Sequence, residues 1–316
     1  MKVKIIYLFF LVIVALSVFS FASDKPTIVA IKSQDNDPYN LALRGFRKAL
    51  EERGIEVSIT QFDIQAGIEE GQKIILFVKE NKPDLILTIG SIATEIISRG
   101  IQDIPIVFAM LLNPVASGLV RTMESSGFNL TGASMDISIE TQFEWIKKAV
   151  PGVRRIGVLY NPKETKPVID EALKVAQQIG IELEIEEIHS EVDLPKSLEQ
   201  LCRKIDVLWS VADSTVFSPQ SSRFIILYTL QNQIPFIGLS PSYVKAGALL
   251  ALSWDYEDIG KQSGEIAVKV LTGENPIDLP ITRPRRVSLF INYRTAEQIG
   301  IKIPPDVLKK AKEIIR

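Results

Sequence analysis

A hydroxyl and two carboxylates stand where apolar runs give way to polar turns, and they define the chemistry open to this chain. Ser91 follows the run Leu85–Ile89 and Gly90, and it opens a helical stretch. As a helix cap it would turn its hydroxyl and the N–H groups near Ala93 toward an anion. Asp213, in Ala212-Asp-Ser-Thr, takes the matching place in the second half of the chain, as a helix cap or as a carboxylate for a cation. Ser214 and Thr215 follow it as further polar contacts. Asp255 lies between Trp254 and Tyr256, so it could meet an ammonium while a ring covers an apolar group, or cap the next helix. Asn113-Pro114 and Asn161-Pro162 each follow an apolar run, where turn chemistry comes first and ligand contact second. An anion-binding helix end opposite acidic strand ends suits a zwitterion, its carboxylate at Ser91 and its amine toward carboxylates of the other half or of a crossing.

Counting removes most other chemistry. The 316 residues hold one His and one Cys, which excludes a Cys/His zinc cage, a disulfide framework and an iron–sulfur site. His189 reads as an exposed loop residue and Cys202 as helix packing. No Gly-x-Gly-x-x-Gly follows Ile28–Ile31, and no Gly-x-x-x-x-Gly-Lys-Ser/Thr loop occurs. No catalytic residue, metal ligand or cofactor is expected. Lys plus Arg is 36 against Asp plus Glu 38, a net charge of −2 that argues against nucleic acid. Arg283, Arg285 and Arg286 around Pro284 read as a solvated turn. Trp145 and Trp209 read as core.

The elements that must position these residues come in two copies. Thr27–Val57 and Arg155–Leu183 each run from a β-branched strand through a polar turn and a helix ending at Gly (Gly54, Gly180) into another strand. Asp84-Leu-Ile-Leu-Thr-Ile-Gly-Ser then matches Asp206-Val-Leu-Trp-Ser-Val-Ala-Asp, and Ile104-Pro-Ile-Val-Phe matches Ile234-Pro-Phe-Ile-Gly. Continuous apolar strands alternating with helices predict an α/β fold of two doubly wound parallel-sheet lobes. In such sheets ligands meet the loops after the strands' carboxyl ends. Those loops are Lys32–Tyr39, Gly90–Ala93 and Met110–Pro114 in one lobe, and Tyr160–Thr165, Ala212–Thr215 and Leu239–Pro241 in the other. They add Tyr39, Glu164 and Ser240 to the candidates. Three crossings forming a hinge are expected near Gly132–Asp136, Leu252–Tyr256 and Leu279–Arg285, the first contributing Asp136 and the last preceding a final strand Val287–Asn292. The expected division is 23–133 plus 255–281 for the first lobe and 134–254 plus 282–316 for the second.

Lys2 and Lys4 precede an apolar run Ile5–Phe19, then Ser20, Phe21 and Ala22. This is the pattern of a secretory signal over residues 1–22, cleaved before Ser23; a retained anchor is the alternative. The unpaired Cys202 fits export.

Several stretches together resemble a known family: Asn129-Leu-Thr-Gly, Arg155-Ile-Gly-Val-Leu-Tyr-Asn-Pro, Ala212-Asp-Ser-Thr-Val, Lys245-Ala-Gly-Ala-Leu and Asp255-Tyr-Glu-Asp-Ile-Gly, with Ile104-Pro-Ile-Val-Phe and Asn113-Pro-Val-Ala-Ser-Gly-Leu-Val. The chain is similar to substrate-binding proteins of ABC transporters, in the tryptophan/tyrosine-type group. That resemblance implies a type I periplasmic-binding-protein fold enclosing an amino acid, aromatic as in family members with known ligands, and a permease as the partner in the membrane. The family often has Thr in place of Ser91 and Asp-Pro in place of Asn113-Pro114, and many relatives carry a lipid-anchoring Cys that is absent here. The expectation is an exported, monomeric receptor outside the cytoplasmic membrane; a sensor signalling to a membrane partner and a cleft enzyme are the alternatives.

Overall fold

The computed structural model describes residues 25–65 and 67–316, so the expected signal segment lies outside the described residues. The first lobe runs β1 (Thr27–Lys32), α1 (Asp37–Glu52), β2 (Ser58–Asp63), α2 (Ile68–Asn81), β3 (Leu85–Ile89), α3 (Ser91–Gly100), β4 (Ile106–Leu111) and β5 (Leu130–Ser134). The chain then builds α4 (Ile139–Ala149), β6 (Arg155–Tyr160), α5 (Pro162–Ile179), β7 (Glu182–Glu187), α6 (Leu194–Cys202), β8 (Val207–Trp209), α7 (Pro219–Gln231), β9 (Phe236–Gly238), α8 (Pro241–Ala246) and β10 (Leu250–Trp254). Helix α9 (Tyr256–Leu271) returns to the first lobe, and β11 (Val287–Asn292), α10 (Tyr293–Ile299), α11 (Pro305–Lys310) and β12 (Ala311–Ile315) complete the second.

The two sheets share one winding. The first is ordered β2-β1-β3-β4-β5 and is parallel throughout; the second is β7-β6-β8-β9-β10 continued by β11 and β12. Strands β3, β4 and β5 are buried at every position, as continuous apolar runs covered on both faces require. The repeat extends to single side chains. Asp84 accepts a hydrogen bond from Thr27 N at 2.7 Å, and its counterpart Asp206 accepts one from Arg155 N at 2.8 Å, so each carboxylate ties β3 or β8 to the start of its lobe's first strand.

Helix α1 carries Pro38 in its first turn, buries Ala42, Leu43, Phe46, Ala49 and Leu50, and stops just before Gly54, which adopts φ +68°. Its other small residues admit α9. A Cβ on Gly260 would lie 1.8 Å from the Ala42 carbonyl oxygen, and one on Gly45 would lie 1.9 Å from that of Glu257. Only glycine permits this backbone approach, which seals the returning helix onto the first lobe.

The three crossings are stitched to one another. Ser134 N donates to Thr282 O at 2.8 Å and Thr282 N to Gly132 O at 2.9 Å, while the Trp254 indole N–H donates to Met135 O. Two features differ from expectation. Strand β11 runs antiparallel to β10, and β12 follows as a further edge strand where Val287–Asn292 was expected to be the last. The segment Ala311–Ile315 is short and pairs with β11 alone, through an irregular register, so no periodicity announces it.

Candidate functional site

The loops at the strand ends are fastened at corresponding positions in both lobes, by different hydrogen bonds. Ser33, just after β1, accepts the Ala93 N–H at 2.9 Å. Asn161, just after β6, donates its side-chain amide to Thr215 Oγ1 at 2.9 Å, and Thr215 is the repeat counterpart of Ala93. Ser91 is therefore not the cap of α3: Gly90 holds that place at φ +95°, and the distant Ser33 supplies the side-chain acceptor. The Ser91 hydroxyl faces the neighbouring loop and accepts from Leu112 N at 3.4 Å. Tyr39 lies against Gly90, where a Cβ would sit 2.6 Å from its ring, and burial raises its phenol pKa. Lys32 holds the first loop in place from a buried position, its ammonium 2.7 Å from Asp35 and 3.1 Å from Asp63.

Asp213 fastens two loops together. It is buried, and its two oxygens take Asn161 N at 2.6 Å, Thr165 Oγ1 at 2.8 Å, Thr215 N at 3.1 Å and Val216 N at 3.0 Å. It locks the loop after β6 to the loop after β8, while Ser218 caps α7. Glu164 lies beside it and accepts from Ser214 N at 2.7 Å, Ser214 Oγ at 2.8 Å and the Thr215 hydroxyl. Burial pushes the Glu164 carboxyl up, but these hydrogen bonds outweigh it and hold the pKa below its ordinary value. Asp255 caps α9 through Asp258 N at 3.1 Å and lines a separate charged depression with Lys48, Asp258, Lys261 and Arg285.

The cavity between the lobes lies at the floor of the cleft, with a volume of about 280 Å³. Its walls are mainly apolar: Met135 from the first crossing, Ile137 just after it and Ile139 at the start of α4, Val168 from α5, Trp209 and Val211 at β8, Ile237 and Leu239 at β9, and Leu250, Leu252 and Trp254 along β10. The first lobe contributes Leu112 and Asn113, the latter at φ +46°. The polar groups are few. Trp209 Nε1 donates to Gln142 Oε1 at 2.8 Å, Arg283 reaches Glu171 at 3.0 Å, and Ser240 stands at the start of α8. Asp136 accepts the Asn113 N–H at 2.8 Å. Burial pushes the Asp136 carboxyl up to about 6, with Glu171 raising it further and the Asn113 N–H and the Arg283 charge opposing.

Of the expected site residues, Asn113, Asp136 and Ser240 line this cavity. Tyr39, Ser91 and Ala93 gather at one strand-end corner, and Asn161, Glu164, Asp213, Ser214 and Thr215 form a second cluster. The expected solvated turn of arginines is a set of ion pairs: Arg283 with Glu171, Arg285 with Asp258 and Glu265, and Arg286 with Asp258 at 3.8 Å. Pairing with those carboxylates raises the Arg285 pKa. Gln142, Glu171 and Arg283 were not among the candidates. Arg283 lay within the expected third crossing, which by construction reaches the cleft floor, and that was the signal available. Trp145 is half-buried beneath Lys148 rather than fully core, whereas Trp209 is 1% exposed.

Residues 28–315 match the family described as ABC transporter substrate binding protein. The chain belongs to that family. A tyrosine-binding protein of Clostridioides difficile is 30% identical over 278 residues, covering 86% of this chain and 80% of that one. Among solved structures, a ligand-free, open substrate-binding protein with adhesive properties from Clostridium difficile is 27% identical, with a TM-score of 0.75 over 92% of this chain and 99% of that one. A domain from Streptococcus pneumonia in complex with L-Trp is 24% identical, with a TM-score of 0.65 over 92% of this chain and all of that one, and shares the two-lobed fold. This substrate-binding protein has no helix among its described residues long and apolar enough to cross a membrane.

Proposed function

We propose that this protein is an exported receptor that encloses an amino acid with an aromatic or other large apolar side chain and delivers it to a permease without turning it over. Its lobes comprise 23–133 plus 255–281 and 134–254 plus 282–316, and they rotate about the three crossings. The observation that carries the reading is the cavity at those crossings, with two tryptophans in its wall and only a few charged groups. Its volume, about 280 Å³, lies just below the roughly 300–1,000 Å³ of small-molecule pockets, which suits a single amino acid better than a peptide. The binding named for the Clostridioides difficile relative supports the same class.

Closure follows from differential affinity. A ligand that touches Asn113 of the first lobe and Leu239 of the second gains contacts only when the lobes approach, and those contacts shift the population toward the closed form. Thermal denaturation against a panel of the twenty amino acids and simple sugars tests the class. Aromatic or large apolar amino acids are expected to raise the midpoint; stabilisation by sugars alone would overturn the reading.

A further inference from the structure

The charged groups of the cavity are left incomplete in a complementary way. A carboxylate offers about four lone-pair sites, yet among the described residues Asp136 accepts one hydrogen bond, from Asn113 N at 2.8 Å. The arginine beside it pairs elsewhere. Arg283 spends one of its five N–H donors on Glu171, at 3.0 Å, and among the described residues its other four have no protein acceptor. Neither group is buried without a partner, so both keep solvent-reachable hydrogen-bonding capacity at the cavity wall, which a ligand carrying an ammonium and a carboxylate can take up.

We propose that Asp136 and Arg283 read the two ends of a zwitterion: Asp136 takes the ligand's ammonium, Arg283 its carboxylate, and Glu171 is a positioning residue that orients the guanidinium. The assignment rests on the reading of the cavity as an amino-acid site and adds its polarity. Three observations support it. Asp136 and Arg283 stand on different crossings, which the Ser134–Thr282 and Thr282–Gly132 hydrogen bonds hold side by side. Both groups line the cavity, and the walls beyond them are apolar, as a ligand side chain requires. Three of the earlier candidate groups are already engaged: Ser33 occupies the Ala93 N–H, Asp213 is filled by four donors of its own lobe, and Asp255 caps α9 outside the cavity.

Protonation gives a second handle. Asp136 faces Glu171 of α5 and Arg283 of the third crossing, and burial dominates, so its carboxyl sits near 6 without ligand. Ammonium binding needs the ionised form. Affinity for an amino acid should therefore fall as pH drops from 7 to 5, a window in which the ligand's own α-amino and α-carboxyl groups keep their charges.

Calorimetry with L-tyrosine and L-tryptophan, their decarboxylated amines and their deaminated acids tests the assignment. Asp136→Asn is expected to weaken the amino acids and the amines by roughly ten- to hundredfold, to leave the acids unchanged and to flatten the pH dependence. Arg283→Gln should weaken the amino acids and the acids but spare the amines, and Arg283→Lys, which keeps the charge, should recover part of the loss. Glu171→Gln should weaken only the carboxylate-bearing probes. If Asp136→Asn and Arg283→Gln each affect all three probe classes alike, or none, the polarity assignment fails. A wild-type protein that binds no amino acid at all would instead overturn the underlying reading.

Discussion

Replacing Asp213 by Asn separates a structural fastener from a ligand contact. In the structure Oδ2 receives Asn161 N and Thr165 Oγ1, and Oδ1 receives Thr215 N and Val216 N, at distances from 2.6 to 3.1 Å. An amide keeps one acceptor oxygen and turns its NH₂ toward the other pair of donors. If the NH₂ faces Oδ1's partners, two backbone N–H groups lose their acceptor; if it faces Oδ2's, the Thr165 hydroxyl can rotate and accept, and Asn161 N alone is stranded. Each stranded buried donor costs about 1–3 kcal/mol, and loss of the charge weakens the bonds that survive, so a total of about 2–4 kcal/mol is expected. Denaturant unfolding of the wild-type and Asp213→Asn proteins measures it as a lower midpoint at an unchanged slope. Binding by the folded variant should stay within a few-fold of wild type. Wild-type stability with a large loss of affinity would refute the argument, because it would mean that the carboxylate faces the ligand.

Three further outcomes follow from neighbouring contacts. Ser33→Ala removes the acceptor for Ala93 N and should lower stability by about 1 kcal/mol, read as a fall in the thermal midpoint. Gly260→Ala forces a Cβ to within 1.8 Å of the Ala42 carbonyl oxygen unless α1 and α9 separate, so unfolding should show a loss of about 1–3 kcal/mol or more. Glu164, held below its ordinary pKa of 4.5 by Thr215 and Ser214 against the opposing effect of burial, contributes stability that is present above 4.5 and lost as pH falls through its folded value. The stability difference between wild type and Glu164→Gln should therefore shrink as pH falls below 4.5.

The repeat made the architecture legible. Matching strands at a near-constant offset gave both sheets the same winding, and the aligned Asp84 and Asp206 proved to serve one backbone role. Helix ends set by local chemistry, such as Gly54 and Gly180, could also be read directly. Partners supplied from far along the chain were hidden. Ser91 looks like a cap until Ser33, 60 residues before Ala93, is seen to supply the acceptor. Arg283 looks like part of a solvated turn until Glu171, 112 residues earlier, meets it in the cavity. Local pattern reports periodicity and turn preference, while the filling of a carboxylate or a guanidinium is decided by tertiary packing. For the same reason the crossings and Asp136 could be located in the sequence, while the parts of Gln142 on α4 and Glu171 on α5 in the cavity could not.

Isothermal titration of the purified chain lacking residues 1–22 with L-tyrosine and L-tryptophan tests the central claim most directly. The expected result is saturable one-to-one binding at micromolar or tighter affinity, a negative heat-capacity change from burial of the ligand's apolar side chain, and a ligand recovered chemically unchanged. No heat with any amino acid, or heat only with sugars, would contradict it.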